Sequence, residues 1–299
     1  MTILVTGASG FLGSRLVERL AKSGRDIIAV ARSRPAGMQH LKSNVQWIEC
    51  DISQNSFNLS YLSKIDAVVH LAGTKESNNG VKPFFSGNEQ STLNLLEAVS
   101  EKTDLFIYAS SQMVYGNTKH IAVTEEFLLR PYDSAYGCSK VNSENWMRLF
   151  QKKNGGRYLA LRFCGFIDGG GFVDYLIDRA LLKQNIQLSG RGETHRDYLL
   201  SADGVEALMA AINFSGAEGF IPLNIGSGQL FSTLQLAELV CDELDSSSQI
   251  DLMENPPPKE DFVFCIDRAL ELLKFRPSKL NIAVREYASY RSELSKAQD

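Results

Sequence analysis

The 299-residue sequence contains few cysteines and no long apolar run. Its five cysteines are odd in number, lie far apart and show no C-x-x-C spacing, which argues against a disulfide framework or a zinc site. No segment approaches the roughly 18 apolar residues of a membrane-spanning helix. Met1 leads directly into a strand-like segment rather than into a charged and apolar leader. We therefore expect a soluble, cytoplasmic chain without a bound metal.

The sequence also lacks an excess of basic residues. Lys and Arg number 31 against 35 Asp and Glu, which gives a net charge of -4. Binding of nucleic acid or of an anionic membrane requires clustered basic side chains, so we expect neither partner. Hydrophobic residues make up 44% and charged residues 22% of the chain, as in ordinary globular proteins. The length fits one large α/β unit or two modest domains.

Apolar runs of strand length alternate with helix-length segments over the first 165 residues. The runs are rich in Val, Ile and Leu without polar alternation, which is typical of strands covered on both faces. This order predicts an α/β fold with a doubly wound parallel sheet. The predicted strands are Thr2–Thr6, Asp26–Ala31, Val45–Cys50, Ala67–Ala72, Leu105–Ser110 and Tyr158–Phe163, and the predicted helices are Phe11–Ser23, Phe85–Glu101 and Ser134–Lys153.

Beyond residue 165 the pattern loosens into a smaller mixed α/β C-terminal lobe. We expect residues 1–165 to form the sheet domain, completed by part of 196–228, and residues 166–299 to form mainly the second lobe. The predicted elements there are helices near Phe172–Lys183, Asp203–Asn213 and Ser232–Leu244, a strand near Phe220–Ile225, a proline segment at 256–258 and two short final helices.

Three glycines, Gly7, Gly10 and Gly13, stand three residues apart between the first strand and the first helix. Such a turn lets the backbone approach a phosphate and points the helix N-terminus at it. We therefore predict a dinucleotide site here, with Phe11 and Leu12 inside the same segment.

The end of the second strand bears on the choice of cofactor. An acidic residue there binds the ribose of NAD, whereas an arginine suits the 2′-phosphate of NADP. Arg32 occupies this place, so NADP(H) is favoured over NAD(H), with a solvated loop arginine as the alternative. Asp51, followed by Ile52, could face the adenine or could be an ordinary loop residue.

Tyr136 and Lys140 are four residues apart in a predicted helix and so share one face. A nearby ammonium favours the phenolate and makes the tyrosine a better acid/base group near neutral pH. Ser111 closes the fifth strand, at the edge where ligands bind in open α/β sheets. Its hydroxyl could hold the oxygen that Tyr136 protonates.

These motifs, in this order, resemble the extended short-chain dehydrogenase/reductases, also called the NAD-dependent epimerase/dehydratase family, in its nucleotide-sugar branch. The resemblance extends over nearly the whole chain and implies a Rossmann-type domain. It is carried by residues 6–13, 70–73, Asn88, 94–98, 110–116, 136–140, 161–162, 196–198 and 224–228.

The resemblance implies roles for individual residues. Tyr136 would be the acid/base, Lys140 would hold the nicotinamide ribose, and Ser111 would position the substrate. Arg196 would contact the substrate diphosphate, with a structural pairing to Asp197 as the alternative. The cofactor trough would be lined by His70, Leu71, Ala72 and Gly73, although His70 is given no chemistry, and Asn88 would also bind the cofactor. A homodimer formed by the helices near Phe85–Glu101 and Ser134–Lys153 is also implied.

Two departures from the family pattern bear on the substrate. Gly165 stands where the family usually has an asparagine that holds the nucleotide portion. Gln112 and Met113 replace the acidic pair of the sugar 4,6-dehydratases, and since neither transfers protons, a dehydratase is disfavoured.

Three functions are left open by the sequence. A 4-keto reductase of a nucleotide sugar is slightly favoured because of Arg32. A nucleotide-sugar 4-epimerase, such as a UDP-hexose 4-epimerase with tightly bound NAD, needs the same Ser, Tyr and Lys. A dinucleotide-binding sensor without turnover is the third.

Overall fold

The computed structural model describes residues 1–38, 41, 44–54, 57–59, 61–76, 78–116, 120–256 and 261–296. Residues 257 and 258 of the predicted proline segment lie outside this set. Within the described part of the chain, no helix combines the length and apolarity needed to cross a bilayer.

Strands and helices alternate over the first half of the chain, as the apolar runs predict. In chain order the elements are β1 (Thr2–Thr6), α1 (Phe11–Lys22), β2 (Asp26–Ala31), β3 (Val45–Glu49), β4 (Ala67–His70), α2 (Lys82–Phe84), a π-helix (Phe85–Gln90), α3 (Ser91–Val99), β5 (Leu105–Ser111), β6 (His120–Val123), α4 (Ala135–Asn154) and β7 (Arg157–Phe163). The predicted helix Phe85–Glu101 is thus partly a π-helix.

The second half contains shorter strands between helices. Its elements are β8 (Gly165–Phe166), α5 (Phe172–Leu181), β9 (Ile186–Leu188), β10 (His195–Arg196), β11 (Tyr198–Leu199), α6 (Ser201–Ile212), β12 (Gly219–Ile225), β13 (Phe231–Ser232), α7 (Thr233–Glu243), β14 (Ile250–Leu252), β15 (Phe262–Phe264), α8 (Asp267–Leu272) and α9 (Leu280–Lys296).

The last helix corrects one expectation, because α9 has 17 residues and is not short. Leu280, Val284 and Ala288 are buried at helical spacing against the core of the second lobe. Near its end, Arg291 forms ion pairs with Asp174 and Asp178 of α5. Tertiary contacts along its whole length therefore stabilise this helix.

Seven strands form one parallel sheet in the order β12-β7-β5-β4-β1-β2-β3. The chain runs outward from β1 to β3 and returns on the other side of β1 as β4, so the order reverses between β1 and β4. Ligands of open α/β sheets bind outside the carboxyl ends of the strands at such a reversal. β12 pairs with β7 from Gly219–Arg157 to Ile225–Phe163 and completes the sheet.

Helices cover both faces of this sheet. On one face, Ile3 and Val5 lie in a core with α1 and α6, and on the other, Leu4 lies in a core with α3 and α4. Each aliphatic side chain buried in this way contributes about 1.5–3 kcal/mol. Burial on the two faces therefore fixes α1, which follows the glycine turn, and α4, which carries Tyr136 and Lys140, relative to the sheet. The second lobe has its own core between α5, α7 and α9.

Candidate active site

The glycine turn forms a cradle that side chains would fill. Gly7 has a φ of +66°, and a Cβ atom there would lie 2.5 Å from the backbone nitrogen of Ala72. A Cβ atom at Gly13 would lie 2.0 Å from the carbonyl oxygen of Gly7. Gly10 caps α1 without a side-chain hydrogen bond, so the first amides of the helix have no intrahelical partner. This open helix terminus fits the pyrophosphate of a dinucleotide.

Phe11 and Leu12, which follow the turn, face the second half of the chain. The exposed Phe11 ring meets the edge of Phe166 at 5.5 Å between centroids. The Arg15 guanidinium lies 4.4 Å from the Phe11 ring centre. Leu12 is half-buried and its Cδ2 atom lies near Gly204 of α6. Both residues therefore contribute to packing between α1 and the segments beyond residue 165.

Arg32 and Asp51 lie side by side at the carboxyl edge of β2 and β3. The amide of Cys50 donates to the carbonyl oxygen of Ala31, which brings the two strand ends together. Asp51 accepts hydrogen bonds from the amide and hydroxyl of Ser53, and these bonds, aided by the charge of Arg32, lower its pKa. Both Arg32 and Asp51 are exposed, whereas Ile52 is buried.

Leu71, Ala72 and Gly73 follow β4 beside the glycine turn. The amides of Leu71 and Ala72 donate to the carbonyl and hydroxyl oxygens of Thr6. Gly73 is exposed, and a Cβ atom there would lie 2.7 Å from Oδ1 of Asn88 and 3.5 Å from Nζ of Lys140. This segment therefore forms a narrow wall between the glycine turn and Lys140.

Asn88 is fully buried behind that wall. Its Oδ1 accepts from the amide of Thr74 at 2.7 Å, and its Nδ2 donates to the Thr74 carbonyl and the Ser139 hydroxyl. These bonds occupy its amide group and hold Thr74 and Ser139 in place, and the contact of Asn88 with the cofactor stays a prediction. The π-helix places its carbonyl within reach of the Thr92 and Ser143 hydroxyls.

Ser111, Tyr136 and Lys140 converge at the end of β5. The side chain of Ser134 caps α4 by accepting from the amide of Gly137, which positions Tyr136 in the first turn. The Ser111 hydroxyl accepts a hydrogen bond from the amide of Met113 at 3.2 Å and lies close enough to the Tyr136 phenol to lower its pKa. Nζ of Lys140 lies 5.6 Å from the Tyr136 ring centre and donates to the carbonyl oxygen of Ala109 at 2.8 Å. A hydroxyl, a phenol and an ammonium group thus form one cluster.

Burial shifts the pKa of both titratable groups in this cluster. It lowers the pKa of Lys140 to about 7, while the carboxylate of Glu144 opposes the shift. Burial also raises the pKa of Tyr136, and the nearby Ser111 hydroxyl acts in the opposite direction. The protein atoms alone therefore do not bring Tyr136 to neutral pH, and formation of its phenolate depends on nearby positive charge.

His70 is a core residue with both ring nitrogens partnered. It lies 2.7 Å from the Thr6 hydroxyl through Nδ1 and 3.0 Å from the Thr92 hydroxyl through Nε2. Burial, with the charge of Lys140, lowers its pKa to about 3, so the ring is neutral. It links β1 to α3 and does not enter the site.

Arg196 lies half-buried in β10. Burial raises the pKa of the nearby Tyr198 phenol to about 12, and the positive charge of Arg196 opposes this shift. Asp197 is buried and accepts from the amide and hydroxyl of Ser227 at 2.8 and 2.7 Å, and from the amides of Gly228 and Phe264. Its carboxylate, which directly follows β10, thus holds the segment after β12 and the strand β15 together.

Gly165 pairs with Tyr198 across β8 and β11. A Cβ atom at Gly165 would lie 3.1 Å from two carbons of the Tyr198 ring. The Tyr198 ring therefore packs against residue 165, where the family usually has an asparagine. A side chain at residue 165 would displace this ring.

Sequence reasoning missed a buried ion pair beneath the site. Glu144 accepts two hydrogen bonds from Arg162, at 3.0 and 2.7 Å, and a third from the Ser110 hydroxyl at 2.6 Å. Glu144 follows Lys140 by four residues, so the helical face of Tyr136 and Lys140 already contained the signal. Arg162 is 18 residues away in another element, and only the fold brings it to Glu144.

Known proteins similar to this chain include enzymes that act on nucleotide sugars. A family model described as the NAD dependent epimerase/dehydratase family matches residues 3–226. The putative UDP-glucose 4-epimerase of Methanocaldococcus jannaschii is 27% identical over 255 residues, covering 81% of this chain and 82% of the relative. The dTDP-4-dehydro-6-deoxyglucose reductase of Escherichia coli is 26% identical over 299 residues, covering 92% of each.

The fold has equally extensive counterparts. The crystal structure of UDP-glucuronic acid 4-epimerase from Bacillus cereus, in complex with NAD, superimposes with a TM-score of 0.82. The two sequences are 28% identical, and the superposition covers 97% of this chain and 99% of that one. Because the family model covers most of the chain, including the glycine turn, Ser111, Tyr136 and Lys140, this protein is an enzyme that belongs to the NAD-dependent epimerase/dehydratase family.

Proposed function

We propose that this enzyme is a nucleotide-sugar 4-epimerase acting on a UDP-sugar. The observation that carries the proposal is the cluster of Ser111, Tyr136 and Lys140 beside the glycine cradle, in a chain whose relatives include UDP-sugar 4-epimerases. The slight preference for a reductase, drawn from Arg32, loses weight against those relatives. A sensor without turnover has no support among enzymes of this kind.

Epimerisation at C4 would require three functions from the side chains of Tyr136, Ser111 and Lys140. When bound, the cofactor would supply a nicotinamide ring that can accept a hydride from C4 of the sugar and give it back to the opposite face. Tyr136, as phenolate, removes the proton of the 4-hydroxyl and later gives it back to the same oxygen. Ser111 holds that oxygen by a hydrogen bond, and the Lys140 ammonium favours the phenolate. No net oxidation results, because the sugar loses and regains one hydride and one proton.

We propose NAD(H) as the cofactor of this cycle. The glycine cradle and the open N-terminus of α1 would receive the pyrophosphate, with Leu71, Ala72 and Gly73 along the trough. Asp51 stands beside Arg32, so a 2′-phosphate near the arginine would also meet a carboxylate. NADP(H) is the alternative that Arg32 supports.

The substrate would lie between the two parts of the chain. We propose that residues 1–165, with β12, bind the cofactor and that residues 166–299 mainly bind the substrate. Arg196 would meet the diphosphate, since a guanidinium is well suited to phosphate.

A 4-keto reductase is the second candidate. The dTDP-4-dehydro-6-deoxyglucose reductase relative and the Arg32 side chain favour it. Such an enzyme would consume reduced cofactor with each turnover, whereas an epimerase would not.

We also propose a homodimer formed by the helices between residues 85–99 and 135–154. Phe85, Trp146 and Leu149 on these helices are exposed by 55%, 36% and 54%. Light scattering should give a dimer for the natural chain and a monomer for Leu149→Glu. A natural chain that is monomeric would remove this proposal.

Mass spectrometry of ligands carried through purification tests cofactor and substrate class together. We expect the purified enzyme to release NAD and a UDP-sugar when it is denatured. NADP together with a different nucleotide would point instead to the reductase.

A further inference from the structure

Three consecutive residues at the end of β5 contact three successive turns of α4. Ser111 lies close enough to the Tyr136 phenol to lower its pKa, the Ala109 carbonyl accepts from Lys140, and Ser110 donates to Glu144. Residues 136, 140 and 144 share one helical face because they are spaced by four. The proposed chemistry uses the first two of these contacts and leaves the third without a role.

The third contact is the most completely buried and the most completely bonded. Glu144 and Arg162 are each 1% exposed, and the guanidinium binds both carboxylate oxygens. Arg162 also donates to the Tyr115 hydroxyl at 2.8 Å, and that hydroxyl donates to Asn224 of β12. The Glu144 carboxylate is thus held by β5 and β7, and it cannot turn away from the site.

We propose that Glu144, held by Arg162 and Ser110, is a positioning residue that keeps Lys140 in its ammonium form and sets the register of α4 against β5. The inference rests on the proposed function, in which the ammonium supports Tyr136. Glu144 acts through Lys140 and does not touch the reacting atoms.

The surroundings of Lys140 explain why such a residue is needed. The lysine is 5% exposed, and burial favours its neutral form. The titratable groups that face it are His70 from β4, Tyr108 from β5, whose ring centre lies 4.5 Å from Nζ, and Tyr136 on its own helix. His70 is neutral, and burial raises the pKa of both phenols, so none of the three supplies a negative charge near neutral pH.

Arg162 increases the effect that loss of the Glu144 carboxylate would have on the proton affinity of Lys140. With Glu144 present, the guanidinium is neutralised by a bidentate pair. With a neutral glutamine in its place, the Lys140 ammonium would lose its attraction and would also meet an unopposed cation. Both changes lower the proton affinity of Lys140.

The test measures the Lys140 proton directly. ¹⁵N-lysine NMR of the NAD-loaded protein, with the signal assigned by comparison with Lys140→Met, follows the side-chain nitrogen as a function of pH. Glu144→Gln should lower the proton affinity of Lys140 about tenfold or more. A second variant, Glu144→Gln with Arg162→Gln, leaves no unpaired buried charge at this pair. It should also lower the proton affinity of Lys140, but by less than Glu144→Gln alone.

The matched control is Asp174→Asn, which breaks the ion pair with Arg291 in the second lobe. It should lower the melting temperature without moving the Lys140 titration. If both Glu144 variants fold and Lys140 titrates as in the natural chain, the pair is only structural and the inference is wrong. If Glu144→Gln does not fold, the double variant decides.

Turnover separates this inference from the proposed function. An active epimerase should lose activity in Glu144→Gln first at high pH, where Lys140 releases its proton. Absence of turnover of any UDP-sugar by the natural chain would remove the proposed function, and the NMR titration would still decide the role of Glu144.

Discussion

Nζ of Lys140 lies 5.6 Å from the centre of the Tyr136 ring and is fixed there by its hydrogen bond to the Ala109 carbonyl. The ammonium is therefore a preorganised positive charge beside the phenol, on a side chain that is only 5% exposed. At such a site the interaction is stronger than in water. The ability of Tyr136 to exchange a proton near neutral pH depends on this cation.

Replacing Tyr136 with phenylalanine should lower turnover by at least about 100-fold, because a positioned acid/base group contributes about that much or more. Binding of the cofactor, followed by isothermal calorimetry, should change little. Tyr132→Phe is the control, since that tyrosine is 84% exposed. Equal turnover of the natural chain and Tyr136→Phe would remove the acid/base role.

Stability of the cofactor-free protein should rise with pH above 7 because of Lys140. Its pKa is about 7 in the fold and near 10.5 in the unfolded chain, so the unfolded chain binds more protons in this window. The free energy of unfolding should then increase by up to about 1.4 kcal/mol per pH unit. Urea titrations at pH 7, 8 and 9 should show this slope relative to Lys140→Met. Parallel pH dependences in the two proteins would contradict the lowered pKa of Lys140 in the cofactor-free fold.

Alanine at Gly7 should abolish cofactor binding and destabilise the protein. The new Cβ atom would lie 2.5 Å from a backbone nitrogen, and backbone atoms cannot rotate away. Gly24→Ala separates this clash from backbone strain, because Gly24 also has a positive φ, of +77°, but has no atom within 4 Å of the new Cβ. Calorimetry with NAD should show binding in Gly24→Ala only. Cofactor binding by Gly7→Ala would show that the turn does not cradle the pyrophosphate.

Arg32→Ala decides between the two cofactors. If NADP(H) is used, the variant should bind NADPH several-fold more weakly and NADH almost unchanged, since only NADPH carries the 2′-phosphate. If NAD(H) is used, as we propose, the natural chain should already prefer NADH, and the variant should keep that preference. Fluorescence titration with both reduced cofactors provides the measurement.

The sheet could be predicted from the sequence because its strands are buried on both faces. Runs such as Asp26–Ala31 contain apolar residues at nearly every position, and the structure has this strand with the same bounds. Tyr136 and Lys140 could be placed on one helical face because their spacing is local. These features depend on residues close together in the chain.

The remaining features depend on contacts between distant residues. The strand His120–Val123 forms by pairing with Phe262–Phe264, which lies about 140 residues further along the chain. The π-helix Phe85–Gln90 is a change of hydrogen-bond register that composition does not encode. Burial of Asn88 follows from its bonds to Thr74 and Ser139, which the motif alone does not reveal.

We propose that this enzyme inverts the configuration at C4 of a UDP-sugar through Tyr136, without net oxidation or reduction. The most direct measurement incubates the purified enzyme with UDP-glucose, UDP-glucuronic acid and UDP-N-acetylglucosamine in turn, and follows product by NMR and absorbance at 340 nm together. We expect the 4-epimer of one of these sugars to appear at constant absorbance with the natural enzyme and not to appear with Tyr136→Phe. Absence of any 4-epimer, or its formation at an undiminished rate by Tyr136→Phe, would contradict the claim.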